Sequence, residues 1–242
     1  MRSALSEIGL VFLGVCAATV AFTQLSAGFE EYAHLFVAGV VLLVAVKMAQ
    51  RRGGLRRFGI DLAGLLEPPD DVDPGVFGLR ELGRTLRRAM PSAARETLFA
   101  LAIASIVFPP FVVAFYAWNA PTRPFVLQPS EDFASFALAQ LVIVGLPEEA
   151  LFRGYFQTRL TDVWPKTTRI LGAHISVLAL VSQAVLFAVL HFVVDLQPER
   201  LAVFFPALLF GWVRARRDGI GAAIVLHALS NLLSDLLTRG WL

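Results

Sequence analysis

The sequence contains almost no cysteine, and this absence limits the chemistry that the chain can perform. Cys16 is the only cysteine among 242 residues, which excludes an intramolecular disulfide and a thiolate metal cluster. Its neighbours, GLVFLGVCAATVAF, are apolar, and a buried thiol without a cationic neighbour stays protonated. We therefore interpret Cys16 as a packing residue rather than as a nucleophile.

Charge is also scarce. Charged residues make up 17% of the chain, the formal net charge is only +2, and no basic stripe suited to nucleic acid is present. Hydrophobic residues make up 57%, more than the roughly 45–50% of ordinary soluble domains, and the mean hydropathy is +0.67. The composition predicts an integral membrane protein that contacts the lipid bilayer and binds no nucleic acid.

Apolar runs of spanning length predict an all-α, polytopic transmembrane bundle with about seven spanning helices. The runs lie near 5–25, 32–49, 97–118, 134–158 and 174–196, with shorter runs near 200–214 and 219–238. Because these apolar segments lie close together along the chain, we predict that residues 1–242 form a single integral-membrane domain.

Basic residues beside these runs predict the orientation of the bundle. Arginines follow the second run in RRGGLRR (51–57) and recur up to Arg95, and such residues mark the cytoplasmic ends of spanning helices. The connection at 50–96 is therefore predicted to be cytoplasmic, and so is the amino terminus. The first run is long enough to cross the bilayer, so we interpret it as a retained anchor.

Two shorter patterns lie within this connection. EPPDDVDPG (67–75) predicts a turn-rich acidic break. GLRELGRTLRRAM (78–90) repeats leucine at helical spacing between arginines, which predicts a separate helix lying on the membrane surface or in the cytoplasm.

Two adjacent glutamates stand inside an apolar run, in GLPEEALFRG (145–154). An ionisable group in the bilayer costs several kcal/mol unless it faces a polar cavity or a partner, so this pair predicts a functional site. Glu149 precedes Arg153 by four residues, the favourable order for a helical ion pair, which leaves Glu148 as the free carboxylate. Pro147 cannot donate a backbone hydrogen bond, so the helix is predicted to loosen or bend beside the pair.

Two further runs carry polar side chains at helical spacing. FAVLH places Phe187 and His191 four residues apart, and HALSN does the same for His227 and Asn231, so each pair lies on one helix face. A single intramembrane histidine is more often an interhelical hydrogen-bond partner than a catalyst. Two histidines together with an amide and a double glutamate favour a shared functional site.

These side chains supply the groups that hydrolysis of an amide requires. A buried carboxylate at Glu148 can deprotonate water, an imidazole of His191 or His227 can orient that water or protonate the leaving amine, and the amide of Asn231 can stabilise an oxyanion. A GxSxG nucleophile elbow and an HExxH motif are both absent. One carboxylate with two histidines is also a zinc ligand set, so zinc bound by Glu148, His191 and His227 stays open as an alternative.

The order of the three motifs resembles that of a known family. EEALFR (148–153), FAVLH (187–191) and HALSN (227–231) match the EExxxR, FxxxH and HxxxN signatures of the CPBP intramembrane proteases. This family, also called Abi, includes type II CAAX prenyl endopeptidases and bacteriocin-processing enzymes. The resemblance covers about residues 134–235, which it identifies as a catalytic core.

The resemblance implies an intramembrane endopeptidase, a hydrolase that cleaves membrane-anchored or secreted peptides near a C-terminus or a leader. Glu148 and His191 would activate water, and Asn231, helped by His227, would hold the oxyanion. Glu149, Arg153 and Phe187 would support the site. We prefer a mechanism without metal or other cofactor.

Composition and family membership narrow the setting. Lys47 and Lys166 are the only lysines in an arginine-rich chain, which favours a prokaryotic source and location in the inner (plasma) membrane. Sorting tails, as in the myxosortase branch of the family, are then favoured over prenylated CAAX substrates. The alternative is a non-catalytic membrane scaffold or bacteriocin self-immunity protein of the same fold.

The depths of the three motifs do not agree at first sight. At ~1.5 Å per residue, Glu148 and His227 are expected roughly 12 to 15 Å from the cytoplasmic ends of their runs, with His191 deeper. This predicts either that 164–173 lies along the interface and the next helix starts late, or a different topology between 160 and 200.

Overall fold

The computed structural model describes residues 2–24, 30–66 and 79–242, and most of these residues are helical. The helices of this part of the chain are α1 (Arg2–Gln24), α2 (Glu30–Arg51), α3 (Leu79–Asn119), α4 (Phe133–Val163), α5 (Val177–Asp195), α6 (Phe204–Arg217) and α7 (Gly221–Trp241). All except the 14-residue α6 are long and apolar enough to cross a membrane. The predicted all-α polytopic bundle is confirmed.

Helix α3 differs from its prediction. The pattern at 78–90 does not form a separate helix on the membrane surface, because from Leu79 onward it belongs to one continuous helix of 41 residues. The amino-terminal half of α3 is held by two hydrogen bonds from Arg217 to Glu96, one from Nη2 to Oε1 (2.6 Å) and one from Nε to Oε2 (3.1 Å). These bonds raise the pKa of Arg217 above its ordinary value. The predicted acidic break at 67–75 lies outside the described residues.

The segment between α2 and α3 is packed against the bundle where the structure describes it. Leu55, Phe58 and Ile60 are fully buried, and the backbone N–H of Ile220 donates to the carbonyl of Gly59 (3.0 Å). A β-carbon on Gly154 would lie 2.6 Å from Ile60 Cγ1, so glycine is required for this close approach. The described part of the segment includes the 3₁₀ turn Leu62–Gly64 and contacts the start of α7 through the bond between Gly59 and Ile220.

A β-hairpin separates α4 from α5. Strands β1 (Thr168–Ile170) and β2 (Ala173–Ile175) pair antiparallel, with Arg169 opposite His174. Leu171 and Gly172 both have positive φ, as a type I′ turn requires. Ser176 then caps α5, so this helix begins late, as one of the two alternatives predicted.

The bounds of the helices also resolve the disagreement in depth. Helix α4 continues to Val163, five residues beyond the predicted run. Glu148 is therefore 15 residues from the end of α4, and His191 is 14 residues from the start of α5 at Val177, about 22 and 21 Å at ~1.5 Å per residue. His227 is only six residues from the start of α7, yet it lies 3.8 Å from Glu148. Helix α7 therefore starts closer to the level of Glu148 than the end of α4 does, and Ile220, just before α7, is bonded to Gly59.

Candidate active site

The glutamate pair lies between two irregular parts of α4. The turns at Gln140–Gly145 and Ala150–Phe156 are π-helical, whereas Leu146–Glu149 is α-helical. Pro147 has no N–H to donate into the helix, and π-helical turns inside α-helices are frequent at functional sites. The predicted loosening of the helix beside Pro147 is confirmed.

Glu149 and Arg153 form the predicted ion pair, and both side chains are fully buried. Arg153 Nη1 donates to Glu149 Oε1 (2.8 Å), and the same oxygen accepts from His227 Nδ1 (2.8 Å). The guanidinium of Arg153 also stacks over the rings of Phe187 (4.3 Å to the centroid) and Phe210 (5.2 Å). Glu149 therefore has two cationic or polar partners and faces away from the cavity.

Glu148 is the free carboxylate, and both histidines turn towards it. Its Oε2 lies 4.0 Å from Nε2 of His191 and 3.8 Å from Nε2 of His227. Among the described residues this oxygen is buried without a hydrogen-bond partner. The Nδ1–H of His191 donates to the carbonyl of Phe187 (2.9 Å), four residues earlier in α5. In each neutral imidazole the lone pair is then on Nε2, the nitrogen that faces Glu148.

Asn231 completes the group from the next turn of α7. Its Nδ2 donates to Oε1 of Gln140 in α4 (2.8 Å), which fixes the orientation of both amides. Helices α4 and α7 also approach each other closely at Gly145, where a β-carbon would lie 3.3 Å from the carbonyl oxygen of Ile224. Asn231 keeps a second N–H that is free to bind an oxyanion.

One cavity of about 810 Å³ joins these side chains. Of the seven residues predicted for the site, Glu148, Phe187, His191, His227 and Asn231 line it, whereas Glu149 and Arg153 lie buried behind it. The other walls are mainly apolar and come from α3 and α6, with Phe111 (40% exposed) and Phe205 (71% exposed) at the rim. The polar side chains of the candidate site thus face a mainly apolar space that is large enough for a peptide segment.

The geometry fits a bridging water better than a tetrahedral metal ion. Ligand distances of ~2.0–2.1 Å would place the Glu148 oxygen and each histidine nitrogen about 3.3 Å apart around zinc, but the separations are 3.8 and 4.0 Å. Among the described residues, no three side chains of histidine, cysteine, aspartate or glutamate are grouped closely enough to hold a metal ion. We therefore assign no reaction step to a metal.

Sequence reasoning missed two residues of the site. Gln140 binds Asn231, and Phe210 stacks on the ring of His227 at 5.0 Å between centroids. Gln140 did carry a usable signal, because it is a polar side chain inside an apolar run, on the same helix as Glu148. Phe210 carried none, since aromatic residues are common in spanning segments.

A comparison with protein-family models gives a match over residues 130–233, the segment that carries every predicted site residue. The matching model is described as Type II CAAX prenyl endopeptidase Rce1-like. This segment is similar to the CPBP family. The predicted family is thereby confirmed for this part of the chain, and the family is one of membrane proteases that act on membrane-associated proteins. Searches of curated proteins and of solved structures gave no match for the chain.

Proposed function

We propose that the chain is an intramembrane endopeptidase in which Glu148 and His191 activate a water molecule for attack on a peptide bond. The observation that supports this best is the convergence of the Glu148 carboxylate with Nε2 of His191 and of His227 in one cavity. Glu148 acts as the general base. No metal or other cofactor takes part in the proposed reaction.

The separation between Glu148 and His191 has the size of a water bridge. At 4.0 Å the two atoms are too far apart for a direct hydrogen bond, but one water can lie within ~2.8 Å of both. Such a water donates one proton to the carboxylate and the other to the Nε2 lone pair. Its oxygen lone pairs then point towards the cavity, where the substrate carbonyl would lie.

Attack by this water forms the C–O bond while its proton passes to Glu148. The carbonyl oxygen becomes an oxyanion, which accepts the free N–H of Asn231 and, when Nε2 of His227 is protonated, a second hydrogen bond from that nitrogen. Glu148 then returns its proton to the leaving nitrogen as the C–N bond breaks. Glu149 and Arg153 fix the position of His227 and do not touch the substrate.

The proposed substrates are membrane-anchored or secreted peptides cut near a C-terminus or a leader. The apolar rim of the cavity at Phe111 and Phe205 is suited to a chain that arrives from the bilayer. Sorting tails of the myxosortase type remain our preferred class over prenylated ones, with the enzyme in the inner (plasma) membrane and its amino terminus in the cytoplasm. The chain is proposed to form one integral-membrane domain with its catalytic core at 134–235.

The test uses purified protein and a set of membrane-anchored fluorescent reporters that differ in their C-terminal tails. The Glu148→Gln variant should lose at least about 100-fold in cleavage rate, within the 10²–10⁴ range of general acid–base catalysis, while its unfolding temperature stays at the wild-type value. Glu199→Gln, at an exposed carboxylate, is the matched control. Cleavage that survives in Glu148→Gln would show that Glu148 is not the base.

The same experiment separates the protease from a scaffold or self-immunity protein of the same fold. A scaffold should cleave none of the reporters, and its cellular phenotype should be the same with glutamate or glutamine at position 148. A protease should lose both cleavage and phenotype in the variant.

A further inference from the structure

A second, smaller cavity reaches Glu148 and His191 from another side of the bundle. Its volume is about 270 Å³, and it lies between α1, α2, α4 and α5, whereas the larger cavity is bounded by α3, α4, α5, α6 and α7. The two cavities share Val144 and Arg200 as well as Glu148 and His191. The proposed catalytic pair therefore stands between two spaces with different walls.

The small cavity has polar as well as apolar walls. Besides Glu148 and His191, its polar lining consists of Thr19, Thr23, His34 and the ion pair of Asp195 with Arg200, and Ala38 is among its apolar residues. One water requires roughly 10–15 Å³ of such space, so a cavity of about 270 Å³ has room for several waters. The polar side chains can serve as hydrogen-bond partners for them.

The charges lining this cavity argue against a second peptide site. Arg200 is the only lysine or arginine among the described residues that border it, and Asp195 already pairs with it. With Glu148 included, the two carboxylates outnumber the one guanidinium, which disfavours the carboxylate of a C-terminal peptide fragment. Water, which is small and uncharged, is compatible with these walls.

Hydrolysis consumes one water in every turnover, and an apolar segment that fills the large cavity would expel water from that side of Glu148. We propose that the small cavity delivers the hydrolytic water to Glu148 and His191 while the large cavity holds the substrate. This inference rests on the proposed protease function for its role in turnover. The presence of water in the small cavity is testable without any cleavage.

The first test narrows the small cavity. In the Ala38→Phe variant, kcat should fall at least about tenfold while KM stays unchanged, because delivery of water and not substrate binding is impaired. Ala17→Phe is the matched control, since Ala17 is exposed on α1 and lines neither cavity. Full turnover in a correctly folded Ala38→Phe protein would overturn the proposal, and so would a rise in KM with kcat unchanged.

The second test measures access of water directly. In a Cys16→Ala background, the Ala38→Cys variant should react with a charged methanethiosulfonate reagent at least about tenfold faster than Ala17→Cys. Thiolate forms only where water reaches the sulfur, and an exposed position within the candidate membrane span α1 is expected to contact lipid rather than water. The Ala38→Cys protein that also carries Glu148→Gln should react at the same rate with and without a peptide that has the C-terminal tail of a cleaved reporter. An unreactive Ala38→Cys variant, or protection by the peptide, would overturn the proposal. Labelling that succeeds without cleavage of any reporter would instead count against the protease function alone.

Discussion

Replacement of Arg153 by methionine should destabilise the protein strongly, because it leaves Glu149 as an uncompensated buried charge. Both side chains are fully buried and joined at 2.8 Å. Removal of one partner of a buried ion pair costs about 3–5 kcal/mol. For a chain of this length, each kcal/mol lowers the unfolding temperature by ≈ 2–4 °C, so we expect a decrease of about 6–20 °C for Arg153→Met.

The measurement is thermal unfolding of purified protein in detergent, with Arg239→Met as the matched control. Arg239 also pairs with an acidic residue four positions earlier, Asp235, but its side chain is 50% exposed. An exposed pair of this kind contributes about 0.2–1 kcal/mol, so the control should unfold within about 4 °C of the wild type. Equal unfolding temperatures for the two variants would refute the argument from burial.

A double variant separates the loss of charge balance from the loss of packing. Glu149→Gln combined with Arg153→Met removes both charges, and the glutamine Oε1 can still accept from Nδ1 of His227, now held at 2.8 Å by Glu149. The double variant should therefore be more stable than Arg153→Met alone and should keep part of its cleavage activity. If it unfolds at the same temperature as Arg153→Met, the instability comes from lost stacking on Phe187 and Phe210 and not from the stranded carboxylate.

Three further outcomes follow from the same contacts. Gln140→Met removes the acceptor for Asn231 Nδ2, so kcat should fall about 10–100-fold, with a smaller change in KM, in the reporter assay. Gly211→Ala should destabilise the protein by about 1–3 kcal/mol, because its β-carbon would lie 2.4 Å from Leu180 Cδ1, whereas Gly14→Ala, with no atom within 4 Å, should unfold at the wild-type temperature. Protein stripped with a chelator and shown by elemental analysis to lack zinc should cleave at the full rate, and loss of cleavage restored by zinc would favour the metal alternative.

The contacts that lie within one helix were predictable from the sequence. Glu149 with Arg153 and Phe187 with His191 are four residues apart, and an α-helix places such residues on one face whatever surrounds it. The sequence also predicted the free role of Glu148, since its neighbour has a partner at helical spacing. These predictions required no knowledge of how the helices pack.

The contacts between helices were not predictable in the same way. Gln140 and Asn231 are 91 residues apart, and Phe210 reaches His227 from α6. Nothing in local spacing specifies which faces of two helices meet, because this depends on close approaches such as that of Gly145 to Ile224. The end of α4 was also misjudged, since hydropathy marks where an apolar run ends and not where the helix ends.

The adjacency of the two glutamates has a physical consequence for His227. Successive residues in an α-helix point about 100° apart, so Glu148 and Glu149 cannot face the same direction, and here one faces the cavity while the other faces Arg153. His227 contacts both sides, with Nδ1 at 2.8 Å from Glu149 and Nε2 at 3.8 Å from Glu148. Because the Glu149 carboxylate can only accept, it holds a proton on Nδ1. Nε2 is then the one nitrogen of this ring whose protonation can change during the proposed reaction, and it lies beside the proposed base.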